Sequence, residues 1–298
     1  MPPPDQIFFQ TDDAWDFLAP GLDTIDVRDE ARALRFITSP RRIEDFSDRY
    51  AASFRPYTLF GSGDFHHLSA VWIRQFTEPF ILLSFDNHPD WDIRPPRWSC
   101  GAWVNRALEN PHVTQGSVWG CGSFECLFPG RLLGNRAAAL EGRLLVHPWA
   151  LEGKSYPAWL SPLTAETWRS QFIGWLDQFA GQKVYVTIDL DCLADSFTNW
   201  ENGRFTADDL LWALGELRGK MDLIGGDLCG AWSPPAYATP FQKLAGWFDH
   251  PRIAAPDPAE RRARHQRLFT QLWPALTFTA TLQGLPPGKG HSEVDANS

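Results

Sequence analysis

The chain has 298 residues, 44% hydrophobic and 14% aromatic, and 27 Lys and Arg stand against 36 Asp and Glu for a net charge of −9. That apolar content is enough for a full core and excludes disorder for the bulk of the chain, while the length fits one large α/β domain or two ordinary ones. An acidic chain without a Lys/Arg run lacks the electrostatic footprint of a nucleic-acid binder.

In chain order, Met1-Pro2-Pro3-Pro4-Asp5 has neither the basic nor the apolar region of a signal peptide. The first 50 residues mix short apolar runs with charge and give weak signals. From Tyr57 the pattern sharpens. Tyr57-Thr58-Leu59-Phe60 reads as a strand ending in Gly61-Ser62-Gly63-Asp64, and Phe80 to Phe85 as a strand ending at Asp86. Ser117 to Gly120 and Arg143 to His147 are weaker runs. Thr164 is placed to cap a helix carrying Trp168, Phe172, Trp175, Leu176 and Phe179 at helical spacing. Val184 to Ile188 ends at Asp189. Thr206, with Asp209 three residues on, opens a helix through Leu210, Leu211, Leu214 and Leu217. Leu223-Ile224 then runs through Gly225-Gly226 to Asp227. Gly284 to Ser298, rich in Gly, Pro and polar residues, reads as a flexible tail. The expectation is one domain over 1–283 and a tail over 284–298.

Short apolar runs without alternation suit strands buried on both faces of a parallel sheet. Strands alternating with helices predict a three-layer α/β/α domain with a mainly parallel sheet, whose site lies at the strand carboxyl ends. No apolar run approaches the roughly 20 residues of a membrane span. Cys100, Cys121, Cys126, Cys192 and Cys229 are an odd set without a Cys-x-x-Cys pair, and read as reduced thiols of a cytoplasmic protein.

Two segments carry chemistry. Asp86, His88 and Asp90 alternate with other residues, and an extended chain would put all three on one side. Pro89 disfavours a helical His88 and so supports that extension. Asp189 and Asp191 repeat the spacing after another apolar run. Either segment alone is compatible with a solvated loop. Together they bring five O and N donors to adjacent strand ends, where bare carboxylates repel and divalent cations compensate. Carboxylate and imidazole without thiolate suit Mn, Fe or Zn.

With these segments on the page, the chain resembles the arginase/agmatinase (ureohydrolase) family within the arginase/deacetylase fold. Asp86-Asn87-His88-Pro89-Asp90 looks like the family's Asp-Ala-His-x-Asp motif. Thr187-Ile188-Asp189-Leu190-Asp191-Cys192-Leu193 looks like the start of Ser-x-Asp-x-Asp-x-x-Asp-Pro. Gly63-Asp64-Phe65-His66-His67-Leu68 resembles Gly-Gly-Asp-His-Ser with one residue inserted. The resemblance covers roughly Tyr57 to Pro235. It implies an arginase-like fold and a binuclear site, usually of Mn2+. One ion would be held by His66, Asp86, Asp90 and Asp189, the other by His88, Asp86, Asp189 and Asp191. His67 competes with His66 for its place; His66 is preferred because Leu68 then falls where the family has an apolar residue. A hydroxide shared by the ions would attack, with Asp90 or another site carboxylate such as Asp191 holding its proton.

Three departures bear on specificity. Asp227-Leu228-Cys229-Gly230 matches the family's Asp-x-x-Glu, so Gly230 replaces the acid that holds a guanidinium. Trp103 stands in place of the family's proton-shuttling histidine, and His112, beside Pro111, is a poor substitute. Ala194-Asp195 replaces the closing Asp-Pro. Trp91, Trp98, Trp103 and Trp232 follow the motif strands and either wall a pocket or fill the gap between loops and sheet, the second being preferred. Arg94 and Arg97 could meet a substrate carboxylate but read as solvated surface. The expected function is hydrolysis of a non-peptide C–N bond in a small molecule other than a simple guanidinium compound. Amide hydrolysis of the deacetylase kind is a variant of that reading. The alternatives are an inactive arginase-like scaffold that binds metal or ligand, or a structural partner-binding domain. The family resemblance also extends the expectation to a homo-oligomer.

Overall fold

The computed structural model describes residues 5–18, 21–95 and 98–278. The expected tail, 284–298, and Arg97 lie outside these residues. Among them the strands are β1 (Gln6–Gln10), β2 (Asp23–Asp26), β3 (Ile37–Thr38), β4 (Tyr57–Leu59), β5 (Phe80–Phe85), β6 (Trp98–Ser99), β7 (Val113–Cys121), β8 (Leu144–Pro148), β9 (Lys183–Asp189) and β10 (Asp222–Cys229). The helices are α1 (Arg28–Ala31), α2 (Pro40–Tyr50), α3 (Ser69–Trp72), α4 (Trp103–Ala107), α5 (Arg136–Leu140), α6 (Trp168–Gln178), α7 (Ala207–Lys220), α8 (Pro240–Asp249) and α9 (Pro258–Thr277).

Eight strands form one sheet in the order β2-β1-β4-β10-β9-β5-β7-β8, with every pairing parallel. β3 and β6 form a separate antiparallel pair. Every residue of β5 is buried, which explains its unalternating apolar run. Ile81, Leu83 and Phe85 face the layer of α6, α7 and α9 through Phe172, Leu214 and Leu272. Phe80, Leu82 and Tyr185 face the layer of α2, α3 and α4 through Phe46, Trp72 and Val104. The sheet is therefore sandwiched as the sequence predicts.

The local signals act largely as read. Thr206 and Asp209 close a capping box at the start of α7. Thr164 accepts from Thr167 N at 3.3 Å and, through its carbonyl, from Trp168 N at 3.0 Å, so it caps the turn that feeds α6 rather than the regular helix. The described residues among the first 50 form more regular structure than their patterning suggests. They supply β1, β2 and α2, whose Ser39 cap and Pro40 at the first turn form a standard helix start. β7 has nine residues where the sequence marked four, because Val113 and Gly116 are shielded by neighbours rather than by an apolar run of their own. His112 precedes β7, at the amino end of the strand, and so faces away from the carboxyl-end site.

Candidate metal centre

Three central strands, β4, β9 and β5, deliver the cluster from their carboxyl ends, and β10, between β4 and β9, brings Cys229 and Gly230 against it. After β4 the chain enters a 3-10 turn, Gly63–Leu68, which carries His66. Asp86 follows β5, Asp189 ends β9, and Asp191 sits in the 3-10 turn Leu190–Cys192.

The residues converge as expected, but not by extended alternation. Asp86 Oδ1 accepts from His88 N at 2.7 Å, and Asp189 Oδ1 accepts from Asp191 N at 3.0 Å. Each motif is thus a carboxylate-closed turn, a device Asp favours because its short side chain reaches the backbone two residues on. Asp90 departs furthest from extension, with φ +47°, in the left-handed region.

His66 Nδ1 lies 3.0 Å from Asp86 Oδ2, 3.3 Å from Asp90 Oδ2 and 3.4 Å from Asp189 Oδ2. His88 Nδ1 lies 2.9 Å from Asp191 Oδ2 and 3.7 Å from Asp86 Oδ1. All six expected residues are therefore brought together. The opposite nitrogen of His66 is tied down: Nε2 is 2.9 Å from Thr187 Oγ1, whose hydroxyl donates to Asp227 Oδ1 at 2.5 Å. Tyr185 OH donates to the other oxygen of Asp227 at 2.8 Å. With Thr187's one proton directed to Asp227, Nε2 must be the donor in that pair, and a neutral imidazole then presents the Nδ1 lone pair to the carboxylates. His67 takes no part. It is buried, its ring nitrogens make no hydrogen bond, and burial pushes its imidazole down to about 3.

Burial raises the Asp90, Asp189 and Asp191 carboxyls, and nearby carboxylates add to the rise. Burial opposes protonation of His66 and His88, yet their carboxylate neighbours hold both well above the usual imidazole range. Asp86 moves the other way: burial opposes ionisation, and contacts with His66 and His88 overcome it. A divalent cation would compensate this crowd of like charges. Fully buried His66 Nδ1 and Asp86 Oδ2 have no hydrogen-bond partner, which fits a site shaped for an ion.

Two glycines seat Asp189. A Cβ on Gly63 would lie 2.8 Å from Asp189 Oδ2, and one on Gly230 only 2.0 Å from Asp189 Oδ1. Gly230 also has φ +97°. Cys229, one residue earlier, places its Sγ 3.6 Å from Asp189 Oδ2. Asp227 itself stays in the core beneath His66 rather than entering the cavity.

A cavity of about 490 Å³ opens onto Asp86, His88, Asp90, Asp189 and Asp191. Its outer wall brings Phe124 and Glu125 from beyond β7 and Phe248 and Asp249 from the end of α8. Sequence reasoning missed these, and it missed Trp200, whose ring stands 5.5 Å from that of His88. They come from loops and a helix end with no pattern of their own. Trp91, Trp98, Trp103 and Trp232 do not line the cavity. Trp91 packs on Trp159, Trp98 lies under Arg74, and Arg261 covers Trp232. Trp103 is the exception to simple filling, since its Nε1 donates to Asp90 Oδ2 at 2.6 Å. Arg94 sits on the rim, paired with Asp92. Asp195 pairs with Arg264 and Arg267 at the surface, away from the cluster. All five cysteines are free and buried.

No protein-family model matches the chain. It is similar to an uncharacterized protein of Thermotoga maritima, at 27% identity over 205 residues, 67% of this chain and 68% of the other. Among solved structures, an arginase from Bacillus subtilis matches at 12% identity over 93% of this chain and 99% of that one, with a TM-score of 0.54. An arginase from Medicago truncatula matches at 15% identity over 88% and 84%, with a TM-score of 0.52. The fold is arginase-like.

Proposed function

We propose that the chain is a metal-dependent hydrolase of a linear C–N bond in a small molecule. The observation that carries this reading is His66 Nδ1, wholly buried, unpartnered, oriented by Thr187 and facing three carboxylates. In the proposed assignment His66, Asp86, Asp90 and Asp189 hold one ion, and His88, Asp86, Asp189 and Asp191 the other. Two bound cations, with manganese the first candidate and iron or zinc compatible with the donors, would polarise the scissile group and acidify a shared water toward neutrality. Thr187 and Asp227 keep His66 in the ligating tautomer. Asn87 N donates to Asp191 Oδ1 at 3.0 Å and steadies that carboxylate. Asp90 and Asp191, both lining the cavity, would take the proton released on attack.

Gly230 supplies no acid for a cationic scissile group, so neutral amides and ureido compounds fit better than a guanidinium or an amidinium. A scaffold that binds metal without turnover is the second reading. Trp103 favours it, because an indole N–H donates but does not shuttle protons. The test is metal content per chain after reloading with Mn2+, followed by a screen of amides, formimidoyl, ureido and guanidino compounds. Two ions and turnover support the hydrolase, two ions without turnover the scaffold. Asp86→Ala that still retains two ions refutes the assignment.

A further inference from the structure

We infer that Trp103 is a positioning residue for the metal centre: it holds Asp90 and His66, two members of one proposed ligand set, in their binding geometry. The inference rests on the metal-centre reading above. Trp103 is wholly buried at the first position of α4. Its Nε1–H donates to Asp90 Oδ2 at 2.6 Å, the oxygen that lies 3.3 Å from His66 Nδ1. Its ring also packs on the His66 imidazole, with centroids 4.6 Å apart. One side chain therefore touches both groups on the same side of the cluster.

Asp90 needs such support. With φ +47° it lies in the left-handed region, which Asp enters more readily than most L-residues but holds through local hydrogen bonds. Val104 N donates to the Asp90 carbonyl at 3.1 Å while Trp103 holds the carboxylate, so the first two residues of α4 grip Asp90 at both ends. An indole is a donor without an acceptor and does not titrate in water's accessible range. It can fix a carboxylate's direction but cannot carry a proton to or from it. Partners of this kind typically alter metal affinity 10–100-fold when removed.

Trp103→Phe keeps an aromatic ring against His66 and deletes the N–H. Mn2+ titration of wild type and variant, with metal content per chain, reads the effect directly. The expected result is about a 10–100-fold weaker affinity at one of two sites, the other unchanged, with the melting temperature before metal addition within a few degrees of wild type. In an Asp90→Ala background the same substitution should have no further effect on metal affinity, because its target is gone. A wild type that binds two ions and a Trp103→Phe that binds them equally well overturns the inference alone. A wild type that binds none overturns the metal-centre reading and the inference with it. Should the variant fail to fold, the wild type still decides: the Trp103 indole N–H resonance must shift as zinc is added, and an unmoved resonance refutes the role.

Discussion

Restoring the missing acid at position 230 should not create a guanidinium hydrolase; it should dismantle the site. Residue 230 has φ +97°, and a Cβ there would fall 2.0 Å from Asp189 Oδ1 and 2.5 Å from Leu190 N. Ordinary carbon–oxygen contact begins above 3 Å, so the carboxylate must retreat by more than an ångström or the backbone must move. The left-handed backbone costs an L-residue about 1–2 kcal/mol. Overpacking a rigid neighbour adds about 1–3 kcal/mol. Gly230→Ala should therefore lose about 2–5 kcal/mol, which in a domain of this size lowers the melting temperature by roughly 3–9 °C.

The metal effect should be larger than the stability effect. Asp189 is proposed to serve both ions, so displacing it disturbs both coordination spheres. Thermal melts with and without Mn2+, together with metal content per chain, measure the two effects. Gly230→Ala should show a lower melting temperature and little or no further rise on adding Mn2+, since a ligand stabilises only as far as it binds the native state. Gly230→Glu should be at least as damaging, and inactive on arginine and agmatine. A Gly230→Ala chain that melts with the wild type and keeps two ions would refute the account of this position.

Two further predictions concern parts of the fold outside the ligand set. Arg35→Met should cost about 3–5 kcal/mol in urea denaturation, because it strands the fully buried Asp64 carboxylate that Arg35 Nε meets at 2.7 Å; a loss below about 1 kcal/mol would show that His250 and Trp200, the other partners of Asp64, suffice alone. His147 stacks on Trp119 at 3.7 Å with both ring nitrogens unpartnered, and burial pushes its imidazole down to about 3. A folded value below the unfolded one means stability is full above about pH 6.5 and is lost as pH falls toward 3. His147→Phe should remove that dependence, so its advantage over wild type grows by about 2 kcal/mol between pH 7 and pH 5. Parallel stability curves over that interval would exclude the mechanism.

How much of this could be read from the sequence depended on whether a local rule decided the outcome. The four central strands were visible because burial on both faces strips them of alternation, and each ends at the acid or glycine that builds the site. β2 was not, since this edge strand is largely exposed and carries no apolar run, and neither was β1 beside it, whose apolar run is only Ile7-Phe8-Phe9. Asp86, His88, Asp90, Asp189 and Asp191 were found through a period-two argument whose geometry differs from the one observed: the side chains converge through turns closed by Asp86 and Asp189. The contest between His66 and His67 had no local solution. The geometry favours His66: Thr187, 121 residues away in sequence, fixes that ring and not His67's. Trp200, Glu125 and Asp249 reach the cavity from three separate segments, and only tertiary structure brings them there.

The two departures at Trp103 and Gly230 both bring packing close against a proposed ligand. Trp103 bonds Asp90 and covers His66, while Gly230 lets the backbone close against Asp189. Positions that handle substrate charge or protons in the family the sequence resembles are here turned to holding the ligand set. A cluster gripped so tightly could be purely structural, but a structural ion site is normally closed by its protein ligands. This one is not: five of the six residues line a cavity of about 490 Å³, large enough for a small molecule. If the cluster is the proposed active centre, the outer wall is where specificity would reside. Glu125 and Asp249 approach there with exposed Phe124 and Phe248 beside them. Under the hydrolase proposal, these outer loops would select the substrate while the buried cluster stays fixed.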